Sequence, residues 1–241
     1  MKILIVRHGE PDYEVDGLTE KGAKEAELLA DRLCRENIKN VYCSTLGRAR
    51  LTAKPTLERL GITAEYCEWL REFDYAAVKL PYLSEPDCAW DLLPSFAENL
   101  SDLYHPTRWI EVPHIKNSSV PEAYESVCRE LDTMLARHGY ERCGKHYKAT
   151  HPSHDTIVLV CHFGLGSVLL SHLMNCSPYT LWQHTCAAPT GVTTIYTEER
   201  EDGEAHFRVA SFGDVSHLYA NNEEPSFAAR FCECYTDATR H

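Results

Sequence analysis

Residues 2–10 read KILIVRHGE. The run KILIV at 2–6 is short, apolar and rich in branched side chains, the pattern of a strand covered on both faces in a parallel sheet. Arg7 and His8 then stand where that strand ends. In an open α/β sheet, ligands bind beyond the carboxyl ends of the strands, where loops and helix N-termini converge. A guanidinium and an imidazole at that position are therefore candidates for chemistry.

Working outward, LTEKGAKEAELLADRL at 18–33 has Thr19 as an N-cap and Ala26, Leu29, Ala30 and Leu33 at helical spacing. VYC at 41–43 is a second strand, followed by Ser44, Thr45 and a helix from Leu46 to Leu60 that stops at Gly61. Arg48 falls near the N-terminus of that helix. The strongest buried-strand signal, TIVLVC at 156–161, ends at His162 and is followed by the helical stretch FGLGSVLLSHL. GVTTIYTEE and AHFRVASFG read as later strands around a turn at Asp202 and Gly203, and the stretch before TIVLVC, up to Asp155, reads as a polar linker after a helix over 122–138.

The tripeptide Arg-His-Gly occurs again at 137–139. There it closes the helix over 122–138, whose apolar stripe is Ala123, Val127, Leu131 and Leu135. Cations in a last turn complement the helix dipole, and Gly139 is placed as the C-terminal cap. Helix termination accounts for the second copy, and only the first sits at a strand end.

A formal charge of -12 argues against broad nucleic-acid binding, which needs a basic face. A small anionic ligand is compatible with it, held in a locally basic pocket. The apolar start ends at Arg7, too short for the core of a signal peptide or a membrane span, so no membrane association and a cytoplasmic location are expected. Eleven cysteines, odd in number and scattered, read as reduced thiols. Residues 73–121 change character: prolines at 81, 86, 94, 106, 113 and 121 alternate with aromatic residues, which suits an inserted, partly helical lobe within one domain over 1–241. The aromatic residues Tyr75, Tyr82, Trp90 and Trp109 are expected to pack that lobe onto the core.

Three strand ends thus carry Arg7 and His8, Arg48, and His162. Together they suit a phosphoryl group: arginine presents a planar fork of donors to phosphate oxygens, and a neutral imidazole attacks phosphorus while its other nitrogen donates to a carbonyl. Such chemistry requires neither a metal nor a cofactor.

The sequence resembles the histidine phosphatase superfamily in its phosphoglycerate mutase-like branch. The resemblance rests on Arg7-His8-Gly9-Glu10, LTEKG at 18–22, STLGRARLTA at 44–53, Leu70-Arg71-Glu72, VLVCHFG at 158–164 and FGDVSHL at 212–218. It implies a three-layer α/β/α sandwich with a mostly parallel central sheet and an inserted cap at 73–121. It implies a metal-independent phosphomonoester hydrolase in which His8 forms a phosphohistidine, Arg7, Arg48 and His162 hold the phosphoryl oxygens, Gly9 permits close backbone approach, and Glu72 protonates the leaving alcohol. The partner is a small phosphorylated metabolite, with inorganic phosphate as product. Mutases of this family carry arginines in the middle insertion for a second acidic group, whereas 73–121 offers only Lys79, Arg108 and Lys116, so hydrolysis is expected over mutase activity. The sequence departs from the family pattern at Thr45, Leu51 and Phe163, and FDYAAV follows Glu72.

A metal hydrolase is the competing reading, because His138, Cys143, His146, His151 and His154 crowd one region and Cys232 and Cys234 lie near the end. Their spacing matches neither a zinc finger nor a His-Glu-x-x-His helix. A phosphoglycerate mutase-like phosphotransferase is the closer alternative, and a phospholigand-binding protein without turnover a further one.

Overall fold

A computed structural model of the chain describes residues 1–228 and Thr236. Strand Lys2–Arg7 lies inside an eight-stranded sheet. On one side it pairs in parallel with Thr156–Cys161, Arg7 opposite Cys161; on the other it pairs antiparallel with Val192–Glu201, Val6 opposite Val192. The parallel half continues through Ile38–Ser44 to Ala64–Cys67. The other half continues antiparallel through Glu204–Asp214 to the hairpin of His146–Ala149 and Tyr140–Cys143.

The parallel half matches the sequence expectation, and the sheet as a whole is mixed. Connection length decides the difference. Parallel neighbours need a crossover, supplied by helices Glu20–Leu33 and Gly47–Leu60, while the short turns at Gly144 and Gly203, with φ of +62° and +73°, join strands that must run antiparallel.

Period-two alternation sends the central strands' side chains into two layers. Leu4, Val6, Val158 and Val160 pack with Leu29, Leu33, Ala53 and Leu57 of the two crossover helices. Ile3, Ile5, Ile157 and Leu159 pack on the opposite face with helices Val120–Arg137 and Phe163–Met174. The result is the expected three-layer arrangement of helices, sheet and helices. The first layer is tied at its start by Thr19, whose side chain accepts from the Gly22 N–H at 3.0 Å.

The stretch after the helix differs from the polar linker expected. It forms the edge hairpin because Tyr140, Tyr147 and Ala149 are buried, with Tyr147 edge-on to Phe207 at 4.7 Å. Polar residues between these positions hide the pattern in the sequence. The second Arg-His-Gly ends helix Val120–Arg137 as expected: Arg137 pairs with Glu65 at 3.2 Å, His138 meets the Tyr42 hydroxyl at 2.8 Å, and Gly139 has φ +85°.

Residues 73–121 contain two short helices, Pro94–Ala97 and Pro113–Lys116, and a two-stranded hairpin, Ala77–Val78 with Asp87–Cys88. Phe73, Leu80, Trp90, Leu103, Trp109 and Ile115 are buried in the same core as Ile3 and Ile5. The nine described cysteines are free thiols; Cys232 and Cys234 lie outside the described residues. No helix among the described residues is long and apolar enough to cross a membrane.

Gly22 is where the first helix meets the loop after His8. A Cβ there would overlap the Glu10 carbonyl oxygen and come within 2.9 Å of the Glu10 nitrogen, both backbone atoms that cannot swing aside. A Cβ on Gly166, inside helix Phe163–Met174, would meet nothing nearer than Ile5 at 3.7 Å. Gly22→Ala is therefore expected to destabilise by about 1–3 kcal/mol, and Gly166→Ala to leave stability equal or raise it by up to about 1 kcal/mol through helix propensity. Urea unfolding of both variants checks the contrast.

Candidate functional site

The ends of strands Lys2–Arg7 and Thr156–Cys161 lie side by side, so His8 and His162 leave the sheet together. Their ring centroids are 5.1 Å apart. His8 remains bonded to both neighbouring strands' ends: its N–H donates to the Cys161 carbonyl at 3.0 Å, and its carbonyl accepts from the Thr190 N–H at 3.1 Å. The imidazole is 2% exposed. Its Nδ1 lies 2.7 Å from the Gly9 carbonyl; a carbonyl only accepts, so Nδ1 carries the proton and Nε2 keeps the lone pair.

His162 is 1% exposed and is the N-cap residue of helix Phe163–Met174. Its Nε2 meets the Ser44 hydroxyl at 2.8 Å, and its Nδ1 is buried with no hydrogen-bond partner among the described residues. Burial and the neighbouring guanidinium of Arg7 hold His8 well below the usual imidazole range. Burial and the neighbouring His8 do the same for His162. Both rings are neutral near pH 7.

Arg7 is also buried; its Nη1 donates to the Ala187 carbonyl, its backbone N–H donates to Gly191 at 3.1 Å, and its guanidinium carbon lies 5.7 Å from the Phe163 ring centroid. Arg48 is the second residue of helix Gly47–Leu60. Its Nη1 donates to Asp16 at 2.6 Å, Tyr13 stacks near it at 5.5 Å, and its Nε is buried with no hydrogen-bond partner among the described residues. The Asp16 carboxylate also accepts from the Gly47 N–H at 2.6 Å. A loop residue thus caps the helix and orients its arginine at once.

Glu72 reaches the same corner from the chain after Ala64–Cys67. Its carboxylate accepts from the N–H groups of Phe73 at 2.8 Å, Leu165 at 2.9 Å and Gly164 at 3.3 Å, the last two at the start of helix Phe163–Met174. Burial raises its pKa, and those three N–H groups oppose the rise. Gly164 leaves the room: a Cβ there would strike the Trp90 ring and come within 2.8 Å of Glu72.

The structure brings Arg7, His8, Arg48 and His162 to one edge of the sheet, with the Glu72 carboxylate at the N-terminus of the helix that follows His162. The close backbone approach expected at Gly9 is made to Gly22. Its N–H donates to the Thr52 hydroxyl at 2.9 Å, and a Cβ on it would come within 2.8 Å of the Gly22 carbonyl oxygen. Gly9 thus has its N–H engaged by Thr52 and serves the close packing behind His8.

Sequence reasoning did not single out Asp16, Ser44 as a partner of His162, or the turn 187–191. Asp16 carries no motif and acts from a loop with φ +48°. The turn acts through carbonyls and one N–H, which any residue supplies. The histidine-rich region does not converge: His138 bonds to Tyr42, and His146 pairs with Glu204 at 2.7 Å. Among the described residues, the one group with metal-ligand proximity is Asp87, Cys88 and Asp91, in the 73–121 lobe.

Comparison with known proteins agrees with this geometry. The model of the histidine phosphatase superfamily (branch 1) matches residues 3–209. A Schizosaccharomyces pombe protein named as a probable phosphatase is 25% identical over 233 residues, covering 90% of this chain and 95% of its own length. Phosphoserine phosphatase 1 of Hydrogenobacter thermophilus is 24% identical over 211 residues, covering 84% and 89%. Among solved structures, a phosphoserine phosphatase mutant from Entamoeba histolytica in complex with phosphoserine shares the fold at a TM-score of 0.60 and 18% identity, covering 90% of this chain and 98% of that one.

The neutral histidines have a consequence for stability. Unfolded, they titrate near 6.5; folded, well below it. Between those values the unfolded chain binds more protons, so stability present above pH 6.5 is lost as pH falls through that window. Glu72 acts with the opposite sign, its contribution being lost as pH rises through its raised folded value. His162→Asn is therefore expected to flatten the loss of stability between pH 7 and 5 relative to the parent chain. Urea unfolding at several pH values measures it, and parallel curves for the two proteins would contradict it.

Proposed function

The chain belongs to the histidine phosphatase superfamily, and on that premise we propose that it hydrolyses phosphomonoesters without a metal, through a phosphohistidine on His8. The observation that carries this reading is a pair of buried groups with no hydrogen-bond partner among the described residues, Arg48 Nε and His162 Nδ1, beside an imidazole whose Nδ1 is turned to the Gly9 carbonyl. Leaving two such groups unpaired in a closed site is costly unless an anion completes them.

In the proposed reaction, His8 Nε2 attacks phosphorus in line with the departing alcohol. Arg7, Arg48 and His162 hold the three non-bridging oxygens, offsetting the charge gathered there. With the Ser44 hydroxyl donating to His162 Nε2, Nδ1 carries a proton and donates to one of them. The Arg48–Asp16 pair occupies Nη1 and leaves Nε for the phosphoryl group. Glu72 gives its proton to the alkoxide as the P–O bond breaks, then takes one from the water that cleaves the phosphohistidine, returning neutral His8 and inorganic phosphate. Its burial supports the protonated form, and its three backbone donors support the carboxylate. Both forms are needed in the cycle.

The substrate class is a small phosphorylated metabolite, in keeping with relatives named for phosphoserine. Residues 73–121 serve as the cap over this end of the sheet. Their cations do not favour a mutase: Arg108 is paired with Asp102 at 2.8 Å and Lys116 with Glu111 at 2.6 Å, so two of the three carry a carboxylate partner already.

Brief exposure to a phosphomonoester is expected to leave acid-labile, base-stable phosphate on His8 and to release free phosphate. His8→Ala abolishes both while keeping the fold. Turnover like the parent's in that variant, or ligand affinity without labelling, overturns the reading; exchange of phosphate between two substrate positions faster than its release would make the chain a mutase. Glu72→Gln is expected to slow alkyl phosphates by about 100-fold or more and p-nitrophenyl phosphate far less, since only the former need a protonated leaving group. Equal losses on both would remove Glu72 from that role.

A further inference from the structure

The segment FGDVSHL at 212–218 takes no part in the chemistry above, yet it places a buried histidine behind the nucleophile. His217 is 5% exposed on the short helix Ser216–Tyr219. Its Nε2 lies 3.1 Å from the Thr190 hydroxyl oxygen. That hydroxyl donates its own proton to the Pro189 carbonyl at 2.8 Å, so it accepts from His217, whose Nε2 carries the proton. Burial drops His217 to a pKa of about 4, and its Nδ1 has no hydrogen-bond partner among the described residues.

Thr190 itself is held in an unfavourable backbone. Residues 188–191 form a turn closed by Gly191 N–H to Ala188 carbonyl at 2.9 Å, with Pro189 second and Thr190 third at φ +55°. That third position favours glycine, and a branched side chain there is a rare outlier. Such an outlier persists when the surroundings over-determine it, often at a working site. The turn holds the catalytic strand end at three points: Ala187 carbonyl to the Arg7 guanidinium, Gly191 carbonyl to the Arg7 N–H, and Thr190 N–H to the His8 carbonyl.

We infer that His217 is a positioning residue, clamping Thr190 in its strained conformation so that the 187–191 turn keeps the His8 imidazole and the Arg7 guanidinium aligned on the phosphoryl group. Its side chain touches neither substrate nor nucleophile. The segment is anchored independently of that contact: Asp214 pairs with Arg32 of the first helix at 2.9 Å and accepts from the Ser216 N–H at 2.8 Å. This rests on His8 being the nucleophile, and the test separates the two ideas.

Thr190→Gly removes both the clamp and the strain. Its melting temperature is expected to equal or exceed the parent's while kcat falls about 10- to 100-fold, with KM changing less than about threefold. His217→Ala and Thr190→Val are each expected to lower kcat by a similar factor, and the double variant to be no slower than the slower single, because both remove one contact. His217→Gln, whose amide N–H can reach the hydroxyl, restores at least part of the rate. His8 is followed separately by NMR: its ring resonances shift, and its pKa rises toward 6.5, in Thr190→Gly and His217→Ala, a readout that needs no turnover.

Full kcat in Thr190→Gly, multiplying losses in the double variant, or an unchanged His8 ring in these variants overturns the inference. If His217→Ala does not fold, the Thr190 variants decide it. If the parent chain forms no phosphohistidine, the nucleophile assignment fails, and the NMR titration still shows whether His217 holds the His8 ring.

Discussion

A neutral imidazole beside two guanidiniums is the condition on which the rest of this structure depends. In the proposed reaction, a histidine free to turn toward water would either gain a proton, losing the lone pair that attacks phosphorus, or keep the lone pair and lose its aim. The fold meets the condition by burying His8 between a parallel and an antiparallel neighbour. The strand from Thr156 to Cys161 takes its N–H, the turn before Val192 takes its carbonyl, and the Gly9 carbonyl takes Nδ1. With backbone and ring both committed, Nε2 has one direction left.

The same logic governs the cations. Arg7 donates to the Ala187 carbonyl and Arg48 to the Asp16 carboxylate, each from Nη1 of its guanidinium. Asp16 carries two duties, capping a helix whose N-cap position is occupied by Leu46, a residue with no capping group, and keeping Arg48 from swinging into solvent. Gly47 makes that possible, since a Cβ there would overlap the Asp16 carbonyl. Glu72 caps the other helix at the site in a similar way. Loop carboxylates thus occupy two helix N-termini at the edge of the sheet where Arg7 and His8 lie, and each is tied to a residue with a proposed chemical role.

How far the sequence is legible follows from the range of each signal. Arg7, His8 and His162 stand out because a buried parallel strand writes an uninterrupted apolar run, and the first polar residues after it mark its end. Arg48 is legible from the helix that follows VYC. Glu72 is not: its neighbourhood reads as acidic surface, and only the family resemblance selects it. The hairpin over Tyr140–Cys143 and His146–Ala149 is hidden because its edge position leaves alternate residues polar, so a two-faced strand resembles a linker until Phe207 is seen against Tyr147.

By itself the sequence determined the α/β class, the crossover helices, the strand ends that carry cations and imidazoles, and the difference between the two Arg-His-Gly copies, because these are recorded in periodicity within a few residues of each element. Only the tertiary structure decided that the sheet is mixed, that Asp16 holds Arg48, that the Glu72 carboxylate accepts from the first N–H groups of the helix after His162, and that Thr190, at positive φ and bonded to His217, donates to the His8 carbonyl. Those contacts join residues far apart in the chain, several through backbone atoms common to every amino acid. Position in space, which no local pattern encodes, is what gives such atoms a role.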